Sequence, residues 1–151
     1  MTDREIYEQL REPLMRFAAS LVGPDGAHDL VAEVLTATLA HRKLSDLERP
    51  KAYLMQAVIN RARSAGRARV REKSALSRLN SEAGRSDPDL VDPGIVETVA
   101  ALPVQQRAAI FLVYWEDMTP TDAAEAMGVR PATLRRYLHL AREKLRRYLD
   151  E

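Results

Sequence analysis

Apolar positions recur at intervals of three and four along almost the whole chain, the period of an amphipathic helix. Tyr7, Leu10, Leu14, Phe17 and Leu21 form the first such stripe, with Thr2 and Glu5 ahead of it at capping-box spacing. Pro13 interrupts the stripe and predicts a kink or a split into two short helices. Gly23-Pro24 is a stop signal. A second helix is expected over 27–41, carrying Leu30, Val31, Val34, Leu35 and Thr38. Residues 42–49 are polar and predict a connection. Pro50 suits the first turn of a third helix, whose stripe is Tyr53, Leu54, Ala57, Val58 and Ala62 before the sequence turns arginine-rich.

Over 77–94 the periodicity is lost and Ser, Asp, Gly and Pro dominate, which predicts a linker and a domain boundary. Asp92-Pro93 predicts the cap of a short helix through Val96, Val99 and Leu102. Pro103 opens another, with Ala109, Ile110, Val113 and Tyr114 expected to face a core. No stretch alternates cleanly enough to predict a strand, and no internal repeat is present. The expected fold is all-α: two small helical domains, 1–76 and 95–151, joined by the linker 77–94.

The C-terminal end carries the most specific pattern. Thr119-Pro120 is an N-cap and first-turn pair for a short helix with Ala123, Ala124 and Met127 inward. Gly128 is the expected left-handed stop, Val129 the turn residue, and Pro131 the start of a long helix to about Leu149. Short helix, glycine turn and long helix make a helix-turn-helix, the more C-terminal domain's expected feature. Leu134, Leu138, Ala141, Leu145 and Leu149 form its apolar seam, while Arg135, His139, Arg142 and Arg146 share a polar face. The first turn presents Arg130, Ala132, Thr133, Arg135 and Arg136. Arginine forks fit guanine edges and phosphates, and threonine meets either base or phosphate.

Charge changes the picture in one respect. The 151-residue chain has a net charge of only +1, yet 61–73 and 130–147 are both strongly basic and 74–100 is acidic. Two basic blocks around an acidic spacer suggest two places that meet one polyanion, against the plainer alternative of two solvated helix faces. The 46% hydrophobic and 30% charged composition is globular. No run approaches the roughly 18 apolar residues of a membrane span, and the polar start Met-Thr-Asp-Arg-Glu has no apolar signal core. There is no cysteine, so thiolate metal sites and disulfides are excluded, and a cytoplasmic location is expected. His28, His41 and His139 lack ligand spacing, so no metal or cofactor is expected. The absence of a phosphate loop, G-x-S-x-G, H-E-x-x-H or cysteine nucleophile argues against an enzyme.

In order along the chain, several segments resemble those of bacterial RNA polymerase sigma factors of the small, two-domain, extracytoplasmic-function type. Asp29-Leu30-Val31-Ala32-Glu33 resembles the family's "DLVQE" helix. Pro50-Lys51-Ala52-Tyr53-Leu54 with Asn60-Arg61-Ala62-Arg63 resembles its "AWL…RN" helix, Leu102-Pro103-Val104-Gln105-Gln106-Arg107 its "LPxxQR" opening, and Thr119 to Arg142 its promoter-reading helix-turn-helix.

The resemblance implies roles. Asp29 and Glu33, four apart on one helix face, would bind core RNA polymerase. Loop residues 44–49 with Tyr53, Asn60, Arg61, Arg63 and Arg67 would hold the minus-ten promoter element as single strand, an aromatic ring beside a basic track. Tyr53 also falls at core spacing, so the residues alone leave stacking and packing both open. Arg130, Thr133, Arg135 and Arg136, flanked by His139 and Arg142, would read the minus-thirty-five element as duplex. An anti-sigma protein clamped between the domains is a further implied partner class. The sequence departs from the family at Ala32, where glutamine is usual, at Tyr53, where tryptophan is frequent, and at Tyr137 and Leu140, where arginines commonly touch phosphate. Two alternatives stay open: a stand-alone helix-turn-helix regulator, and a sigma-derived protein-interaction module favoured by apolar Tyr137 and Leu140.

Overall fold

A computed structural model describes residues 1–76 and 98–150, of which 65–76 and 148–150 are described by their helix path alone. No strand occurs among the described residues, and the expected linker 77–94, with Asp92-Pro93 and Val96, lies outside them. Helix α1 (Asp3–Val22) opens with a capping box: Thr2 Oγ1 accepts the Glu5 N–H at 3.2 Å, and Glu5 Oε2 accepts the Thr2 N–H at 3.1 Å. It runs unbroken through Pro13 instead of splitting. Proline removes one intrahelical bond, to the carbonyl of Gln9, and Gln9 is exposed where water can replace it. Buried Ile6 before the proline and Leu14, Phe17, Ala18 and Leu21 after it anchor both sides of the break.

Gly23, at φ +88°, ends α1 and begins α2 (Pro24–Leu39) in a single residue. The second helix therefore starts earlier than its apolar stripe suggests, because Pro24 takes the first helical position. Ala27, Leu30, Val31, Val34 and Thr38 are its buried face, and the Thr38 hydroxyl donates back to the Val34 carbonyl at 2.8 Å. The connection 42–49 is not wholly polar. A 3₁₀ turn, Leu44–Asp46, buries Leu44, and the Ser45 N–H donates to Asp3 Oδ1 at 3.0 Å. Helix α3 (Pro50–Leu76) buries Leu54, Met55, Val58, Ile59 and Ala62. Met55 and Ile59 join the core where the sequence pattern had assigned Tyr53, which is 37% exposed.

In the second half, Leu102 is buried ahead of α4 (Val104–Ile110). The backbone then widens into a π turn, Phe111–Trp115, with the Glu116 N–H bonded to the Phe111 carbonyl at 3.1 Å. The wider turn rotates the face that points inward. Leu112 is buried, while Tyr114, expected in the core, is 52% exposed. Helix α5 (Pro120–Met127) is capped by Thr119 Oγ1, which accepts the Asp122 N–H at 3.1 Å. Gly128 is left-handed at φ +68°, the Val129 N–H closes on the Ala124 carbonyl at 2.9 Å, and α6 (Pro131–Asp150) follows. Leu134, Leu138 and Ala141 are buried as a seam and Leu145 is half-buried, while the Leu149 side chain lies outside the described residues.

The two helical halves do not stand apart. Buried residues from both form one continuous core, from Leu14, Phe17 and Leu54 through to Leu112, Ala124 and Leu134. Helix α3 packs on α4 and α5, and α1 packs on α4. Phe17 meets Phe111 across the seam, ring centroids 6.1 Å apart.

Candidate nucleic-acid interface

Helices α2 and α3 enclose an open cleft of about 390 Å³ lined by Val34, Thr38, Tyr53, Asn60, Arg61 and Ser64, among others. Three of the five residues expected at a single strand, Tyr53, Asn60 and Arg61, thus share one surface. Arg42 supplies a cation that sequence spacing did not reveal: its guanidinium lies over the Tyr53 ring, 5.6 Å from the centroid. The ring, partly exposed, with Arg42 over it and Arg61 in the same cleft, has the chemistry for base stacking. Arg63 is exposed but turns toward the second half, where the Gln105 amide oxygen, in its hydrogen-bonding orientation, accepts from Nε at 3.0 Å and Nη2 at 2.9 Å. Arg67 lies on α3, its side chain outside the described residues.

Asp29 and Glu33 are exposed on α2 and line a second cleft, of about 410 Å³, with Ala32, Thr36 and Ala37. Arg61 belongs to this cleft too, and its Nε donates to Glu33 Oε2 at 3.0 Å.

On the helix-turn-helix, Arg130, Arg135 and Arg136 are exposed around the start of α6 and Thr133 is half-buried. His139 is exposed and faces Glu143 Oε1 at 3.4 Å on its own helix. Arg142 is not a free cation. Its Nε donates to the Tyr114 hydroxyl at 2.6 Å and its guanidinium lies 5.4 Å from the Tyr114 ring centroid. The π turn that exposes Tyr114 is what places it there, a geometry no helical periodicity could reveal. Tyr137 is half-buried and packs on the core, so its apolar character has a structural use. Leu140 is half-buried as well.

Polar ties join the halves around these surfaces. Arg49, in the loop before α3, pairs with Glu125 of α5, which holds the arginine in its charged form above its ordinary pKa. Arg16 pairs with Glu116 at 2.9 Å with the same consequence. Arg107 donates from Nη1 to the Leu21 carbonyl at 3.1 Å, satisfying the open C-terminal end of α1, and from Nη2 to the Leu102 carbonyl at 3.3 Å. Burial pulls its pKa down from the ordinary arginine value. Among the described residues, no group of three or more His, Cys, Asp or Glu could hold a metal ion, and no helix is long and apolar enough to cross a membrane.

Comparison with known proteins covers both halves. Residues 94–145 match the family model described as Sigma-70, region 4. The chain is 28% identical to the RNA polymerase sigma-E factor of Streptomyces antibioticus, over 97% of this chain and 83% of the relative. It is likewise 28% identical to the ECF RNA polymerase sigma factor SigL of Mycobacterium tuberculosis, over 98% of this chain and 89% of that protein. Among solved structures, the sigma factor RpoE of Bartonella quintana, in complex with the anti-sigma factor NepR, matches with a TM-score of 0.70 and 25% identity, over 97% of this chain and 96% of the other. Residues 94–145 thus carry a sigma-70 region 4, and along nearly its full length the chain is similar to extracytoplasmic-function RNA polymerase sigma factors.

Proposed function

We propose that this protein binds core RNA polymerase, directs it to specific promoters and helps to open the minus-ten element, without covalent chemistry of its own. Residues 1–76 act as the polymerase-binding and minus-ten domain, 77–94 as the linker and 95–151 as the minus-thirty-five domain. The observation that carries the reading is the grouping of Tyr53, Asn60 and Arg61 in one cleft of the first half, while Arg130, Arg135 and Arg136 stand exposed on the second. A stand-alone duplex binder has no use for the first of these surfaces. The work is cytoplasmic, where polymerase and promoter are. An anti-sigma protein of the kind seated on the Bartonella relative is a further candidate partner.

The packed halves add a requirement. The two promoter elements lie about 25 base pairs apart, roughly 85 Å at 3.4 Å per pair. A compact chain of this length is only about 40 Å across. The packed form therefore cannot seat both elements, and the halves must part for promoter binding. Asp29 and Glu33 are exposed before they part, so polymerase has a first foothold on the packed form.

The test is transcription from a genomic promoter library by core polymerase with this protein. Specific transcripts above core alone are expected, and they should vanish with Asp29→Arg/Glu33→Arg while helical content is unchanged. Transcription no better than core alone would refute the proposal.

A further inference from the structure

Arg61 is the wall between two clefts. On one side it lines the surface of Tyr53 and Asn60, and on the other the surface of Asp29 and Glu33. Its Nε donates to Glu33 Oε2 at 3.0 Å. One guanidinium thus borders both the acidic face and the cleft in which the strand is proposed to lie.

We propose that Glu33 is a positioning residue for Arg61: in the free protein it keeps the guanidinium from the DNA strand, and polymerase, by taking Glu33, releases Arg61 to the phosphate. The inference rests on the polymerase-binding reading of Asp29 and Glu33 given above. A carboxylate and a phosphate compete for the same N–H fork, since both accept charge-assisted hydrogen bonds from arginine. A basic group of the polymerase and Arg61 compete in turn for Glu33. Both side chains are about half exposed, at 49% and 55%, so the pair is weak enough to exchange. An exposed pair of this kind corresponds to about a two- to fivefold change in affinity. Linkage makes the effect reciprocal: whatever polymerase does for strand binding, the strand does for polymerase binding.

The reciprocity gives the test its sign. Core polymerase affinity is measured by fluorescence anisotropy of the labelled chain, for wild type, Arg61→Gln and Arg11→Gln. Strand affinity is measured with a labelled mixed-sequence single strand of about 12 nucleotides, with and without saturating polymerase. Arg61→Gln frees Glu33 and is expected to bind polymerase about two- to fivefold tighter than wild type in the absence of DNA. Glu33→Gln is expected to bind the free strand tighter by a similar factor. Arg11→Gln removes the same charge from the exposed surface of α1, in the same half and away from both clefts, and should leave polymerase affinity near wild type.

Unchanged or weaker polymerase binding by Arg61→Gln overturns the relay, since a residue that only touches DNA, or only supports the fold, gives that result. An equal gain in Arg11→Gln also overturns it, because general electrostatics would then suffice. The two readings fail separately. If Asp29→Arg/Glu33→Arg still binds polymerase, the acidic face is misassigned and the relay falls with it. If that variant loses binding but Arg61→Gln gains none, only the relay falls.

Discussion

Replacing Gly128 with alanine tests the left-handed turn of the helix-turn-helix and its seat against α3 together. At φ +68° an alanine is strained whatever surrounds it, at about 1–2 kcal/mol. Its Cβ would also fall 2.5 Å from Cδ and 3.1 Å from Cγ of Gln56, across the boundary between the halves. Gln56 is exposed, so it can swing to another rotamer, at roughly 0.5–1.5 kcal/mol. Gly128→Ala should therefore cost about 1.5–3.5 kcal/mol, and only about 1–2 kcal/mol in a Gln56→Ala background. Urea denaturation followed by circular dichroism, on the wild type, both single variants and the double variant, measures the difference. The coupling of about 0.5–1.5 kcal/mol should appear although the residues lie in different halves. Equal cost in both backgrounds would refute the reasoning, because α3 would then not lie against the turn in solution.

Three further outcomes follow from the geometry. Asp3 accepts the Ser45 N–H, and this backbone hydrogen bond is the main cause that holds its carboxyl below the usual range. A depressed carboxylate contributes stability above its unfolded pKa and loses it as pH falls through the folded value. Asp3→Asn should thus be less stable than wild type near neutrality and converge with it in acid, as thermal melts across pH would read. Arg135→Ala and Arg136→Ala should each lower the slope of log affinity for duplex DNA against log salt by about 0.9, provided each arginine meets one phosphate; an unchanged slope places that side chain off the backbone. Phe111→Ala removes a half-buried ring that meets Phe17 at 6.1 Å and Trp115 at 6.5 Å. It should cost about 2–4 kcal/mol in urea denaturation and shift the emission of Trp115, the chain's one tryptophan.

The helix-turn-helix was legible because its signals are local. Thr119, Pro120, Gly128 and Pro131 each fix a backbone position by their own chemistry, and the structure places the cap, the left-handed turn and both helix starts there. The core faces were legible only where one side of a helix is buried. Helix α3 is covered on two sides, by the first half and by α5, so a single stripe mispredicted Tyr53 and passed over Met55 and Ile59. Tyr114 was misassigned for a different reason: the π turn inserts a residue, and no sequence period announces it. The candidate site divides the same way. Asn60 and Arg61 came into view through the resemblance of their helix to a known one, but Arg42 over Tyr53 and Arg142 on Tyr114 join residues on different elements. The ties of Arg49 to Glu125 and Arg63 to Gln105 are tertiary facts that only the packed halves create.

Those ties bear on how the protein would work. Parting the halves breaks the Arg49–Glu125 and Arg16–Glu116 pairs and strips Arg107 from the Leu21 carbonyl. It also uncovers apolar side chains at the seam, Phe111 and Met55 among them, which water will not solvate without cost. Free separation is therefore unfavourable, and polymerase must cover or replace what the halves give each other. Its apparent affinity is then reduced by the small fraction of molecules already open. A substitution that loosens the seam should consequently move two quantities in opposite directions: stability falls while polymerase affinity rises. Gly128→Ala sits at that seam and away from Asp29 and Glu33, so it separates this reasoning from a direct contact effect. A loss of affinity in proportion to its loss of stability would mean that the packed form is itself the one polymerase binds.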